Sequence, residues 1–564
     1  MADAWLTDVM ASYVNHDLLP VESSADFIRV KRLPRRDPLA PISVQPELRA
    51  RVLRADAELE PNEIQWRALA ELRAARGLFA PINVGGGKTL ICWSAPSVLG
   101  VRGLYLTQAK LVKEAERERK KYEALGLIVR ADTEIRSYSF ISTAKNARWL
   151  AENKFGVVMA DECHALRDIS AARTKRFCWE FDAREELMLL ALSGTVTKRS
   201  VNDYGHLAYY ALRQNDSSFL PNKPRTTMIW AEALDLDGPR RPPGVLRELC
   251  GPDENVRQGY RRRMHDTVGV VASTETAVAC PLEIREIDWT FDPEEAAAVK
   301  RFEETWARPD GEEIVEAFEH ARVLRQLKLG GFYFWDWPGE PDLEWLEKRA
   351  AWRRELRRFL TYRAEPGLDS PALVEQALRV RTLDRKTPAV VKLRGLEAAY
   401  DAWRTVANRP EPPTRWRWVS RGTVREIARW VLRRKCIVWT DVVAFGEALA
   451  AEIGTRWYGA GNDGIANENG HRTIVASIQA HGTGRNLQRY ARSLIACGLP
   501  TGATVEQLIG RTHRPGQNAD LVSVYYMKRF RPEMHSALRD ARYIEETTGN
   551  KQKLLLAQWP EGRP

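Results

Sequence analysis

A loop of three consecutive glycines followed by a lysine and a threonine has the clearest chemistry in this sequence. It lies in the stretch FAPINVGGGKTLICW, residues 79–93, and its glycines are Gly85, Gly86 and Gly87. A glycine loop that opens a helix directs backbone N–H groups at one point, and the helix N-terminus adds partial positive charge. Lys88 can reach the β- and γ-phosphates of a nucleotide, and the Thr89 hydroxyl can ligate Mg²⁺. The stretch therefore predicts a phosphate-binding loop for ATP and Mg²⁺.

Two adjacent carboxylates, Asp161 and Glu162, follow the apolar run FGVVMA. Nucleotide hydrolysis needs one carboxylate that holds Mg²⁺ and an acceptor that positions the attacking water, and we assign these roles to Asp161 and Glu162 respectively. The alternative for such a pair is a solvated strand end. The pair follows Thr89 by 72 residues within one α/β stretch, and parallel sheets bind ligands at the carboxyl ends of their strands. The sequence therefore favours a site that hydrolyses a nucleotide.

Short apolar runs separated by polar helical segments must position these residues. The runs RGLYLTQ, KFGVVMADE and LMLLALSGT lie within 57–215, and KCIVWTD, RTIVASIQ, RSLIACG and LVSVYYM lie within 418–535. Such runs, separated by helices, are typical of parallel sheets and predict the α/β class. The predicted domains are an N-terminal extension (1–56), a nucleotide-binding domain (57–215), a linker with a helical insertion (216–417), a second α/β domain (418–535) and a C-terminal helix and tail (536–564).

The composition indicates a globular protein with a basic surplus. Lys and Arg number 86 against 75 Asp and Glu, a formal net charge of +11, which favours a polyanionic partner such as nucleic acid. No two of the seven cysteines are closer than 15 residues, which excludes Cys-x-x-Cys zinc and redox motifs. Neither a signal peptide nor a membrane-spanning run is evident. We therefore predict a cytoplasmic protein with reduced thiols and no membrane partner.

Further motifs occur in a fixed order around the carboxylate pair. EPNEIQWRAL precedes the glycine loop, RGLYLTQAKLVKEAERE and IRSYSFIST follow it, and LALSGTVTK comes after the carboxylates. KCIVWTD, SIQAHGTGRNLQ and EQLIGRTHRPGQ lie in the second α/β zone. With DECH at 161–164 as a form of the DEAD/DEAH box, the chain resembles superfamily-two helicases, most closely Swi/Snf-type DNA-dependent ATPases and phage-type DNA helicases. Helicase motif VI, Q-x-x-G-R-x-x-R-x-G-Q, matches at Gln507, Gly510, Arg511, Arg514, Gly516 and Gln517.

The resemblance implies two RecA-like lobes with a helical insertion between them, ATP and Mg²⁺ between the lobes, and nucleic acid bound across both. It implies that Gln65 reads adenine and that Arg511 and Arg514 reach the γ-phosphate. The residues implied to couple the ATP site to the other motifs are His164, Ser193, Gly194, Thr195 and Gln507. The residues of motif V implied to contact nucleic acid are Gly482, Gly484 and Asn486.

The chain departs from the family pattern at two positions. Ile82 stands where a small residue usually opens the phosphate loop. His481 stands where motif V of Swi/Snf-type proteins has a second glycine. In the middle of the chain, tryptophans such as Trp345 and Trp352 lie among arginines and could stack on bases, but burial in a helical core is the commoner role of aromatic residues.

The predicted function is an ATP-dependent DNA helicase or translocase that moves along or remodels DNA. The R-x-H-R-x-G-Q form of motif VI favours DNA, with duplex preferred over single strands. One alternative is an RNA helicase or RNA-remodelling ATPase, since contacts to the 2′-hydroxyl would distinguish the two. Another is a non-catalytic, ATP-dependent nucleic-acid clamp, against which the intact Glu162, Arg511 and Arg514 argue. Replication or recombination proteins are candidate partners, in the host cytoplasm if the protein is phage-encoded.

Overall fold

A computed structural model gives the fold of most of the chain. The residues that the structure describes are 21, 24–38, 40–83, 85–222, 224–236, 245–273, 278, 280–289, 291–312, 314, 317–362, 368, 371–380, 390–498 and 501–563. The proline-rich segment DGPRRPPG, residues 237–244, lies outside them. The chain divides into two compact units, Met1–Glu275 with Arg542–Lys551 and Thr276–Ala541 with Gln552–Pro564.

A five-stranded, all-parallel sheet forms the centre of the first unit. Its order is β1-β5-β4-β2-β3, and its strands are β1 (Leu78–Ala80), β2 (Gly103–Thr107), β3 (Glu134–Ser137), β4 (Val157–Asp161) and β5 (Met188–Leu192). Strands β2, β4 and β5 are buried along their whole length. Alternate residues face different cores: Val158 and Leu189 join one cluster, and Met159 and Leu190 join another. Burial on both faces explains why these strands read as continuous apolar runs.

Helices complete the first unit. They are Ala25–Arg32, Pro46–Val52, Glu63–Ala75, Lys88–Leu99, Val112–Ala124, Tyr138–Ser142, Trp149–Glu152, Ala172–Ala183, Gly205–Leu212, Pro224–Leu234 and Val256–His265. Short 3₁₀ turns include Cys163–Leu166, which directly follows Glu162. Part of the predicted N-terminal extension packs into this unit, because Phe27 and Val30 are buried in one of its two cores.

A six-stranded, all-parallel sheet forms the centre of the second unit. Its order is β10-β11-β9-β12-β13-β6, and a separate antiparallel pair joins β7 and β8. The strands are β6 (Leu282–Ile287), β7 (Gly331–Trp335), β8 (Thr414–Trp418), β9 (Ile437–Thr440), β10 (Trp457–Tyr458), β11 (Ile474–Ser477), β12 (Arg492–Ile495) and β13 (Val522–Met527). Ile437 and Trp439 face one core cluster, and Val438 faces another. This sheet is therefore also covered on both faces.

The helices of the second unit are Pro293–Thr305, Ala317–Leu327, Leu343–Tyr362, Pro371–Val380, Val390–Arg404, Gly422–Val431, Val443–Ile453, Ile478–His481, Gly502–Thr512 and Lys553–Leu556. The helix Arg531–Thr548 belongs to this unit up to Ala541 and to the first unit from Arg542. Trp345 and Trp352 are buried, and Trp345 packs edge to face against Trp335 and Trp337.

The α/β class with parallel sheets, predicted from the sequence, is confirmed by these two sheets. Among the described residues, no helix combines the length and apolarity that crossing a lipid bilayer requires.

Candidate active site

The glycine loop connects β1 to the helix Lys88–Leu99 and is tightly packed. Gly85 has φ of 92° and Gly87 has φ of 74°, both in the left-handed region that favours glycine. A Cβ added to Gly86 would lie 2.5 Å from Cγ2 of Ile82. Ile82, the residue that departs from the family pattern, is fully buried and occupies the space that a side chain at 86 would need. The large residue is therefore accommodated because position 86 has no side chain.

Gln65 contacts this loop from the helix Glu63–Ala75. Its Oε1 accepts from the backbone N–H of Asn62 at 2.8 Å, and the Asn62 side chain accepts from the Gln65 N–H in return, which forms a capping box. Its Nε2 donates to the carbonyl of Gly87 at 3.2 Å. The structure therefore places Gln65, the residue predicted to read adenine, directly against the glycine loop.

Lys88 lies between the loop and the carboxylate pair. Its ammonium donates to the carbonyls of Ile82 and Asn83, both at 3.1 Å, and its Nζ is 3.8 Å from Oε1 of Glu162. The side chain is buried. A buried cation held at the mouth of a glycine loop provides the charge that bound phosphate oxygens need.

Asp161 ends β4 and is held by a tyrosine of the neighbouring strand. The hydroxyl of Tyr105, in β2, donates to Oδ2 of Asp161 at 2.9 Å. Burial, together with the neighbouring charge of Glu162, raises the pKa of Asp161 to about 6. Tyr105 thus orients one of the two residues predicted to ligate Mg²⁺, a contact that no local sequence pattern indicates.

Glu162 adopts a backbone conformation that is rare for a residue with a side chain. Its φ and ψ are 54° and 51°, in the left-handed region, and such conformations persist only where the surrounding structure enforces them. Burial raises the pKa of Glu162, but the charge of Lys88 and hydrogen bonds from His164 and Ser193 outweigh burial and hold this pKa below its usual range. The carboxylate therefore stays charged and can accept a hydrogen bond from water.

His164 and the serine of the SGT segment surround the Glu162 carboxylate. The Ser193 hydroxyl donates to Oε2 of Glu162 at 3.1 Å, and Nδ1 of His164 lies 3.0 Å from the Ser193 hydroxyl. The N–H of Thr195 donates to the same hydroxyl at 3.1 Å. These groups meet because β4 and β5 are neighbours, with Asp161 paired to Leu192.

A chain of hydrogen bonds that was not predicted joins the SGT segment to the glycine loop. Nδ2 of Asn550 donates to the carbonyl of Gly194 at 2.6 Å. The hydroxyl of Ser273 donates to Oδ1 of Asn550 at 3.4 Å, and the N–H of Asn83 donates to that hydroxyl at 2.8 Å. Asn550 is only 1% exposed. Its distance of 356 residues from Gly194 along the chain leaves no local signal from which this contact could be predicted.

The residues predicted in the second unit form a group of their own. Nε of Arg511 donates to the carbonyl of Gln507 at 2.9 Å, and its Nη1 donates to the carbonyl of Arg485 at 3.2 Å. Arg514 donates to Oδ1 of Asn486. The structure therefore brings motif VI against the segment that contains Gly482, Gly484 and Asn486.

His481, the second departure from the family, is a packed residue. It is buried, and its Nε2 lies 3.1 Å from the carbonyl of Gly459. The added Cβ at the neighbouring Gly482 would lie 2.4 Å from the carbonyl oxygen of Ile478. Position 482 therefore requires glycine, whereas position 481 accommodates a ring.

The residues at the loop fit a nucleotide with Mg²⁺. A glycine cradle, a buried lysine, a hydroxyl and a carboxylate are the donor types that phosphate and Mg²⁺ require. No group of three or more His, Cys, Asp and Glu side chains suited to a metal ion occurs in the part of the chain that the structure describes. The proposed ligands Thr89 and Asp161 are only two, and phosphate oxygens and water would complete the coordination.

Neither a scan against protein-family models nor a search of curated proteins finds a match to this chain. The functional assignment therefore depends on the motifs and on the site geometry.

Proposed function

We propose that this protein is a nucleic-acid-stimulated ATPase that moves along or remodels DNA. The observation that carries the proposal is the arrangement of Lys88, Glu162, His164 and Ser193 at the carboxyl ends of β1, β4 and β5. A phosphate-binding lysine and a charged, positioned carboxylate at one sheet edge are what nucleotide hydrolysis requires.

The roles in the first unit follow from the contacts. The backbone of the glycine loop and Lys88 would hold the β- and γ-phosphates, and Thr89 and Asp161 would hold Mg²⁺. Mg²⁺, when bound, supplies positive charge to the phosphate oxygens. Glu162 would orient the attacking water, and His164 and Ser193 keep its carboxylate charged and fixed in direction.

The roles in the second unit come from the resemblance. Arg511 and Arg514 would stabilise the charge that develops on the transferring phosphoryl group, because a rigid guanidinium suits this purpose better than an ammonium. Gly482, Gly484 and Asn486 would contact the nucleic acid. The contact between Arg514 and Asn486 supports a direct link between these two roles. We further infer that both parallel sheets belong to RecA-like lobes.

Duplex DNA is the proposed partner and the cytoplasm the proposed location. The form of motif VI supports DNA, and the net charge of +11 supports binding to a polyanion. All seven cysteines are free thiols, as expected in a reducing compartment.

Two variants separate nucleotide binding from hydrolysis. Glu162→Gln is expected to keep ATP affinity but to hydrolyse ATP at least about 100-fold more slowly, the scale of losing a general base. Lys88→Ala is expected to lose ATP binding as well. Lys120→Ala, at an exposed position of the helix Val112–Ala124, is the matched control. Nucleotide titration and steady-state rates test this, and near wild-type turnover in Glu162→Gln would contradict the proposal.

A further inference from the structure

An exposed, arginine-rich face lies on the helix Gly422–Val431 and the turn that follows it in the second unit. The apolar side of this helix, with Val424, Ile427 and Val431, is buried in a core cluster. The opposite side and the turn carry six exposed cations, which we call the arginine face: Arg421, Arg425, Arg429, Arg433, Arg434 and Lys435. Because the helix is amphipathic in this way, its cations all remain in contact with solvent.

The charge of this face is concentrated and poorly neutralised. Residues 421–435 contain six basic residues and one acidic residue, a net charge of +5, whereas the whole chain of 564 residues carries +11. The single acidic residue, Glu426, pairs with Arg429. Arg425 and Arg433 form no ion pair with any residue that the structure describes. Nearly half of the net charge thus lies in one short segment.

Aromatic rings hold two of the guanidinium groups at the surface. The guanidinium of Arg421 lies 5.2 Å from the ring centre of Trp418, and that of Arg434 lies 4.5 Å from the ring centre of Trp430. Stacking of this kind restricts the side chain, and Arg434 also donates from Nη1 to the carbonyl of Trp430, which leaves its other N–H groups available. The face is therefore partly ordered before any partner binds.

Helix stability accounts for Arg429, which lies in the last turn, but not for the arginines at the N-terminal end. Cations favour a helix C-terminus, but Arg421 is the N-cap residue and Arg425 lies near the N-terminus, at the positive end of the dipole. Within the helix, Arg425 and Arg429 are four residues apart, a like-charge spacing that destabilises a helix. A partner with the opposite charge would reverse this cost.

We propose that the arginine face binds the phosphate backbone of duplex DNA, as a contact separate from the motif residues. Cations four residues apart on a helix are separated by about 6 Å along its axis, and successive phosphates of one strand are separated by about 3.4 Å along the duplex axis, so neighbouring cations of the face can reach different phosphates of one strand. An anionic membrane fits less well, because the apolar side of the helix is buried and cannot insert. The proposal specifies the partner surface of the proposed DNA-dependent ATPase and rests on that function.

Charge substitutions with a matched control test this surface. Arg425, Arg429 and Arg433 are changed together to Gln in one variant and to Lys in another. The control changes Lys300, Arg301 and Arg322 to Gln, since these are exposed cations of the same unit beside acidic residues. Affinity for a duplex of about 30 base pairs is measured without ATP between about 50 and 200 mM salt.

The Gln variant is expected to bind duplex DNA at least about tenfold more weakly. The slope of log K against log salt concentration is expected to be about 2.7 smaller in magnitude, because each of the three lost phosphate contacts contributes about 0.9. The Lys variant and the control are expected to keep the wild-type slope. An unchanged slope in the Gln variant overturns the proposal that the arginine face binds DNA, but not the proposed function. Failure of the wild type to bind any DNA overturns the proposed function together with this surface. If the Gln variant loses binding to phosphatidylserine vesicles but keeps its affinity for DNA, the face binds a membrane and the proposal is also overturned.

Discussion

Position 86 shows how one missing side chain shapes the glycine loop. Ile82 fills the space beside Gly86, and a Cβ at 86 would lie 2.5 Å from Cγ2 of Ile82 and 3.2 Å from the carbonyl of Asn83. Asn83 in turn offers a carbonyl to Lys88. A methyl group added at position 86 would therefore shift the loop carbonyl that holds Lys88, without contacting Lys88 or the carboxylates itself.

The expected result is that Gly86→Ala weakens ATP binding by about tenfold or more, because overpacking a tight site shifts its backbone. Adding Ile82→Ala to the same chain is expected to restore part of the affinity, since it removes the clashing Cγ2. Isothermal titration with ATP on both single variants and the double variant measures this coupling. Strictly additive losses would show that the two positions do not interact.

The order of the strands explains why residues at the strand ends of the first unit lie close together. β1, β5 and β4 are neighbours, so Lys88, Ser193 and Glu162, far apart in sequence, meet at one edge. The motifs predicted this meeting, because each follows an apolar run and parallel strands share a carboxyl edge. Strand β6 was not predicted, since its segment LEIREI contains charged residues and is not a continuous apolar run, and since its partner is β13, with Leu282 paired to Val522. Long-range partners of this kind leave no local periodicity.

Asn550 is the clearest functional candidate that sequence patterns could not indicate. Its amide joins the carbonyl of Gly194 to Ser273, and Ser273 holds the N–H of Asn83. Asn550→Ala is expected to lower kcat for ATP hydrolysis by about tenfold and to change KM for ATP by no more than about twofold. The Asn550 amide positions the SGT segment and the glycine loop but is not proposed to contact the nucleotide. Asn202→Ala, at an exposed position of the same unit, is the control. A fall in the melting temperature with unchanged kcat would assign Asn550 a purely structural role.

A buried histidine makes the stability of the first unit depend on pH. His206, in the helix Gly205–Leu212, lies with its Nε2 2.9 Å from the carbonyl of Leu166, and burial lowers its pKa from 6.5 to about 4. Between these two pH values the unfolded chain binds more protons than the folded one, so stability falls as the pH falls.

The free energy of unfolding at about pH 5.5 is expected to be lower than at about pH 7.5, with His206 contributing on the order of 1 kcal/mol to the difference. His206→Gln is expected to lack that contribution, whereas His471→Gln, at an exposed position, is expected to retain it. Denaturant titrations at both pH values, followed by tryptophan fluorescence, give the comparison. Equal pH dependence in wild type and His206→Gln would rule out the histidine as the cause.

The molecule has its candidate nucleotide site in the first unit and its cationic surface in the second. The basic surplus and its concentration in residues 421–435 can be counted in the sequence, but the exposure of these cations on one surface became evident only once burial divided the helix Gly422–Val431 into two faces. The motif residues were predicted because chemistry fixes their types and local spacing. Tyr105, Ser273 and Asn550 were not, because each acts through contacts made by the tertiary fold.

The ATPase rate as a function of added nucleic acid shows whether this protein is a DNA-stimulated ATPase. Rates are measured without nucleic acid and with single-stranded DNA, duplex DNA and RNA, and Glu162→Gln serves as the control for contaminating ATPases. DNA is expected to raise kcat by about tenfold or more, duplex DNA most strongly, because activity in this reaction class depends on completing the catalytic arrangement around a bound partner. Glu162→Gln is expected to stay inactive throughout. Greater stimulation by RNA than by either form of DNA, or no hydrolysis above the Glu162→Gln level, would contradict the account.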